Sequence, residues 1–161
     1  MQVLLTAFKN TSSERLARCI YGYDFLILEN DKITSVKQLE QALQKGDYRY
    51  VFSFGQRPAI KDKIHIECEA LIDGDNLKTD FDTAGLKKAF EDCGITVKLS
   101  YNAGTSYCNN IYYHGIKMIT KKRTNIEMVF IHIPYAKNIS NSADFFYFIE
   151  KGIKKFLSED I

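Results

Sequence analysis

The chain has 161 residues, 45% of them hydrophobic, and a formal net charge of +2. That is enough apolar material for one domain with a sizeable core, and the near-neutral charge gives no reason to expect nucleic acid or a membrane surface as a partner. Four cysteines, Cys19, Cys68, Cys93 and Cys108, show no CxxC spacing, so no zinc site or other metal is expected. No apolar run approaches a membrane span, and Met1 leads straight into V-L-L-T-A-F with no basic region before it. The expectation is therefore a chain without an export signal, holding reduced thiols in the cytoplasm.

Apolar and amphipathic runs alternate from the first residues onward. Residues 2–8 (Q-V-L-L-T-A-F) read as a buried strand, 12–20 as a helix capped by Ser12, and 24–29 (D-F-L-I-L-E) as a strand. Residues 35–45 read as a helix capped by Thr34 or Ser35, 48–54 (Y-R-Y-V-F-S-F) as a strand ending at Gly55, and 63–72 as a further extended segment. Residues 82–93 form a predicted helix closed by Gly94, followed by a strand over 95–100 and a helix over 107–122. A strand over 127–133 and a helix over 142–158 complete the series. This rhythm predicts an α/β fold, a three-layer α/β/α sandwich around a mostly parallel twisted sheet, built by residues 1–161 as a single domain. The basic run Lys121, Lys122 and Arg123 compensates the dipole at a helix C-terminus.

Ligands of such sheets bind at the carboxyl ends of strands. Gly55-Gln56, Asn102-Ala103-Gly104 and Pro134 all follow strands and should meet there. In S-Y-N-A-G-T-S-Y-C-N, Cys108 opens the helix that follows a glycine-containing turn. The positive end of a helix dipole favours thiolate over thiol. In V-F-I-H-I-P-Y, His132 is a lone polar residue inside an apolar strand, so it must be hydrogen-bonded or functional. An imidazole beside a thiol can take its proton and later protonate a leaving amine. Backbone N–H groups of the turn and helix start could cradle an oxyanion. Cys19, Cys68 and Cys93 read as buried small hydrophobes, and His65 and His114 as structural or solvated.

These motifs resemble those of the pyroglutamyl peptidases, a family of cytosolic cysteine peptidases. Its nucleophile motif resembles S-N-x-A-G-T-x-x-C-N, matched here around Cys108. Its histidine motif resembles F-I-H-x-P, matched at His132. The opening V-L-L-T-A-F and Asn10-Thr11-Ser12 are also similar to the family, as is Phe81-Asp82-Thr83. The resemblance implies a third catalytic member, an acid in a pattern like G-Q-x-G-G-R-x-x-I-x-x-E. With a one-residue insertion I-H-I-E-C-E-A-L places Glu67 there, and another gap placement would put Asp62 there. Glu67 is preferred. Phe8, Gln56 and Asn102 are the candidate substrate contacts. The family's aromatic loop after the first strand is missing, since Phe8 runs almost directly into Asn10. No arginine lies between Arg57 and Arg123, a stretch where the family carries one.

The resemblance implies a cysteine peptidase or amidase that needs no cofactor. It would remove an N-terminal pyroglutamyl or related small acyl group from a small peptide or acyl amide, through a Cys108 thiolate. A homo-oligomer is left open. The alternative is a weakly catalytic or non-catalytic module on the same fold, binding a small molecule or a protein.

Overall fold

The computed structural model describes residues 2–159. Eight strands and five helices follow one another as β1 (Val3–Phe8), α1 (Ser12–Cys19), β2 (Asp24–Leu28), α2 (Lys32–Lys45), β3 (Tyr50–Arg57), β4 (Lys63–Glu67), β5 (Glu69–Ile72), β6 (Asp75–Lys78), α3 (Thr83–Asp92), β7 (Thr96–Ser100), α4 (Tyr107–Lys121), β8 (Glu127–Pro134) and α5 (Ser142–Glu159). Six strands make one sheet in the order β2-β1-β3-β8-β4-β7. Every neighbouring pair is parallel except β4 and β8, so β4 and β7 run opposite to the other four. The expected mostly parallel α/β sandwich is what the chain forms.

Strand alternation sorts the side chains onto two faces. Val3, Leu5, Phe52, Phe54, Ile64, Ile66, Val129 and Ile131 share one core with residues of α1, α3 and α5. Leu4, Phe8, Val51, Met128 and Phe130 share the other with Leu39 of α2 and with Cys108, Ile111 and Tyr112 of α4. The first face is apolar throughout the central strands. The second carries the buried polar residues of the sheet: Thr6, Ser53, His65, Glu67, His132 and, on the edge strand β7, Ser100. That asymmetry follows from residue parity, and it turns these buried polar groups toward α4; Gln56, of the other parity at the end of β3, meets Ser12 of α1 instead.

Several boundaries differ from the sequence expectation for local reasons. Helix α1 is capped by Thr11 rather than Ser12; the Thr11 Oγ1 accepts from Glu14 N–H, and Glu14 Oε1 accepts in return from Asn10 N–H at 3.1 Å. Helix α2 starts three residues early because the Asp31 carboxylate accepts the Thr34 N–H at 2.5 Å. Strand β3 does not stop at Gly55, since β8 pairs alongside it as far as Arg57 opposite Pro134. The extended segment over 63–72 breaks at Cys68. There the chain leaves the sheet, and β5 pairs antiparallel with β6, a strand not foreseen. Its turn, Asp73-Gly74, has φ of +50° and +79°, the conformation that Asp-Gly adopts in tight hairpins. Asn109 of α4 holds this hairpin, its amide pairing with both N–H and C=O of Leu71 at 3.0 and 2.8 Å.

Candidate active site

Cys108 is the second residue of α4, and Gly104, at φ +86°, lets the chain turn sharply before that helix. Its thiol lies over Gly55 of β3. A methyl group on Gly55 would collide with Cys108 Sγ and would sit 2.7 Å from Phe130 Cζ. Gly55 is thus the gap in the sheet that admits the thiol. Gly55 and His132 are register partners on β3 and β8, so His132 projects from the same face of the next strand. The imidazole lies with its centroid 5.0 Å from that of the Phe130 ring.

Glu67 ends β4 and is fully buried. Its Oε1 lies 2.8 Å from His132 Nδ1 and 3.2 Å from Arg57 Nη1. Its backbone carbonyl accepts the Tyr112 hydroxyl at 2.8 Å, which ties the strand end to α4. Asp62, the other candidate acid, lies elsewhere: both its oxygens are bonded to Ser140, at 2.7 Å from the N–H and 2.5 Å from the hydroxyl. The structure therefore brings together Cys108, His132 and Glu67 on one sheet face and leaves Asp62 out. The bonded link is Glu67–His132. The thiol is packed against Gly55 and Phe130, and no hydrogen bond joins it to the imidazole among the described residues.

At Cys108 burial opposes the helix dipole. Burial pushes the Cys108 thiol up to about 12; the nearby Arg57 cation favours ionisation and the Glu67 carboxylate opposes it. His132 is held below the ordinary imidazole value, first by burial, with Glu67 pulling the other way and Arg57 adding to the depression. Both shifts favour the thiol and the neutral imidazole over the ion pair. The other cysteines also differ from expectation: Cys19 is exposed and Cys68 and Cys93 are half-buried, while Cys108 is the buried one. They lie at helix ends and at the strand break, where the chain leaves the core.

A cleft of about 450 Å³ opens beside the thiol, lined among others by Phe8, Asn10, Gln56, Tyr107, Cys108 and Tyr135. Phe8 packs against Tyr107 with ring centroids 6.0 Å apart. An adjoining cleft of about 530 Å³ shares Asn10, Thr11, Gln56 and Tyr135 and continues past the start of α1 to Lys137. Of the candidate substrate contacts, Phe8 and Gln56 line the first cleft. The Gln56 Oε1 already accepts the Ser12 N–H at 3.1 Å and the Ser12 hydroxyl at 3.2 Å, which leaves its Nε2 donor for other partners. Asn102 does not line the cleft; its Oδ1 accepts the Gly104 N–H at 3.0 Å and so closes the turn. That amide is therefore spent inside the turn, and the N–H groups of the first turn of α4 are those left to meet an anion.

Two residues escaped the sequence reading. Arg57 reaches Glu67, His65 and the backbone oxygen of Asn102. Its signal was parity: it follows Gly55 by two positions on one strand and so shares its face. His65, read from the sequence as structural or solvated, is buried. It is 8% exposed, faces α4 and lies opposite His132 in the β4–β8 register.

Fold and site together define an α/β/α protein that carries a cysteine, a histidine and a glutamate on one face of its sheet. A family model described as pyroglutamyl peptidase matches residues 72–144, which include Cys108 and His132. A pyrrolidone-carboxylate peptidase of Clostridium botulinum (strain Alaska E43 / Type E3) is 37% identical over 71 residues, 44% of this chain and 33% of that protein. The match thus spans about a third of that relative's length. The pyrrolidone-carboxylate peptidase of Thermosipho melanesiensis is 26% identical over 174 residues, covering 86% of this chain and 85% of its own. Among solved structures, a mutant pyrrolidone carboxyl peptidase from Pyrococcus furiosus shares the fold with a TM-score of 0.87 at 18% identity, covering 100% of both chains. Pyroglutamyl peptidase I from Bacillus amyloliquefaciens gives 0.83 at 21% identity, over 96% of this chain and 93% of its own. The chain is thus similar to the pyroglutamyl peptidases, in sequence around Cys108 and His132 and in fold along its whole described length.

Proposed function

We propose that the protein is a cysteine peptidase that removes an N-terminal pyroglutamyl or related small acyl group from a short peptide or acyl amide. The observation that carries this reading is the 2.8 Å bond between Glu67 and His132, on the sheet face where Cys108 packs over Gly55. Neutral His132 takes the Cys108 proton as sulfur attacks the carbonyl carbon, so thiolate character arises only during attack. Glu67 stabilises the imidazolium that results and holds its ring. The first amides of α4 face the oxyanion, with the helix dipole behind them. His132 then protonates the leaving amine and the thioester forms. Water attacks that thioester, giving its proton to His132, and the free acid departs as Cys108 recovers its proton.

Phe8, Tyr107 and Tyr135 supply the aromatic walls of the acyl cleft in place of the absent loop, and Gln56 offers an amide donor to the acyl group. We place the protein in the cytoplasm, a reading supported by four free cysteines. No described helix is long and apolar enough to cross a membrane. A fluorogenic pyroglutamyl amide tests the proposal: release of the fluorophore that is abolished in Cys108→Ala is the expected result. Turnover that survives Cys108→Ala would misplace the nucleophile. No turnover on any acyl amide would favour a binding module.

A further inference from the structure

We propose that Arg57 is a positioning residue that fastens the Glu67–His132 pair to the turn in front of the nucleophile helix. One guanidinium joins three segments. Its Nη1 lies 3.2 Å from Glu67 Oε1 and 3.3 Å from His65 Nδ1, both on β4, and its Nη2 donates to the Asn102 backbone oxygen at 2.5 Å. Arg57 itself ends β3, the strand whose Gly55 seats the thiol. The guanidinium, 21% exposed, therefore crosses the site between the acid and the loop that delivers Cys108.

The donor inventory then fixes protons. Arginine only donates, so Glu67 Oε1 accepts from it and His65 Nδ1 must accept as well, leaving the His65 proton on Nε2. Glu67 Oε1 also accepts from His132, which places the His132 proton on Nδ1 and leaves Nε2 as the basic nitrogen. A single oxygen thus holds both bonds, while Oε2 has no partner among the described residues. Without the Arg57 bond only the His132 bond and the packing around the buried carboxyl would set its orientation. A planar fork is required, because the two ends of the bridge, Glu67 and Asn102, are served by different nitrogens. The inference rests on the peptidase reading for what the base does, but not for where the protons sit.

The charged and titratable groups acting on His132 are Glu67 and Arg57; across the β4–β8 register lies His65, toward which Lys63 and Lys98 also act, and the Cys108 thiol lies over Gly55, the register partner of His132 on β3. Two measurements on Arg57→Ala and Arg57→Lys test the assignment. The first is ring nitrogen NMR of His132 against pH, which needs no turnover. The second is kcat and KM on the pyroglutamyl amide. In the parent protein the neutral His132 is expected as the Nδ1–H tautomer. Arg57→Ala should mix the tautomers and raise the titration midpoint, because a neighbouring cation is gone; kcat should fall roughly 10- to 100-fold with KM within about twofold, the cost of a small misplacement. Arg57→Lys should restore the midpoint but not the kcat, since a point charge cannot span both partners. A His132 tautomer and kcat unchanged in Arg57→Ala would overturn the proposal, as would full kcat in Arg57→Lys. Should Arg57→Ala fail to fold, Arg57→Lys carries the same two readouts. Should the parent protein itself prove inactive, the peptidase reading falls while the tautomer still decides the role of Arg57.

Discussion

At the scale of single residues the site works by burial set against a few charges. Burial pushes the Cys108 thiol up to about 12 and holds His132 below the usual imidazole value. Activity that depends on neutral His132 must fall as acid protonates it, and this loss comes at a lower pH than for an ordinary histidine. No alkaline loss from thiol ionisation arises in the neutral range. The kcat/KM profile is therefore expected to climb from acid to a broad plateau rather than form a bell; a bell with its base-side limb near neutrality would show a thiolate–imidazolium pair instead. Alkylation gives a second check: brief iodoacetamide treatment should label exposed Cys19 first, whereas an alkylating acyl-amide analogue that fills the cleft should label Cys108. Glu67→Gln should lower turnover about 10- to 100-fold, because a neutral partner stabilises imidazolium less. Asp62→Asn should leave turnover intact, as its carboxylate is spent on Ser140.

At the scale of elements, the meeting of β3, β8 and α4 decides whether the thiol has a place. Gly55→Ala puts a methyl where Cys108 Sγ and the Phe130 ring now sit. Both contacts are side-chain atoms in packed surroundings, so the thiol must leave its rotamer or α4 must shift. The expected outcome is a folded protein with a lowered melting temperature and a loss of turnover larger than the stability change explains, read by calorimetry beside the amide assay. The β5–β6 hairpin depends on α4 in another way. Asn109 imitates a neighbouring strand for Leu71, so Asn109→Ala should free the amides of residues 69–78 to exchange faster while those of β3 and β8 stay protected.

At the scale of the whole molecule, the three histidines act in the same direction on stability. Burial is the first cause of a lowered value at His65, His114 and His132 alike. Each therefore binds fewer protons folded than unfolded just below the ordinary value of 6.5. Stability is fully present above that pH and falls as acid is added, until the folded-state groups themselves protonate. Urea midpoints should drop between about pH 7 and pH 5, ahead of the range where carboxylates titrate. Midpoints flat across that interval would show that the histidines are open to water.

The sequence by itself determined the layers and the chemistry. Residue parity in V-L-L-T-A-F, Y-V-F-S-F-G-Q-R and V-F-I-H-I-P sorts every central side chain onto one of two faces, and the turn before Cys108 makes the cysteine open a helix. Parity is a local property, so it survives without knowledge of partners. What the tertiary structure decided depends on segments far apart in the chain. That Glu67 rather than Asp62 lies beside His132 depends on the antiparallel β4–β8 pairing, which a short strand of mixed polarity does not announce. Arg57 became part of the site because the loop at Asn102 crosses above β3. Burial opposes the local dipole at Cys108 because desolvation is set by everything packed around a group, and the helix start is only one part of that surrounding.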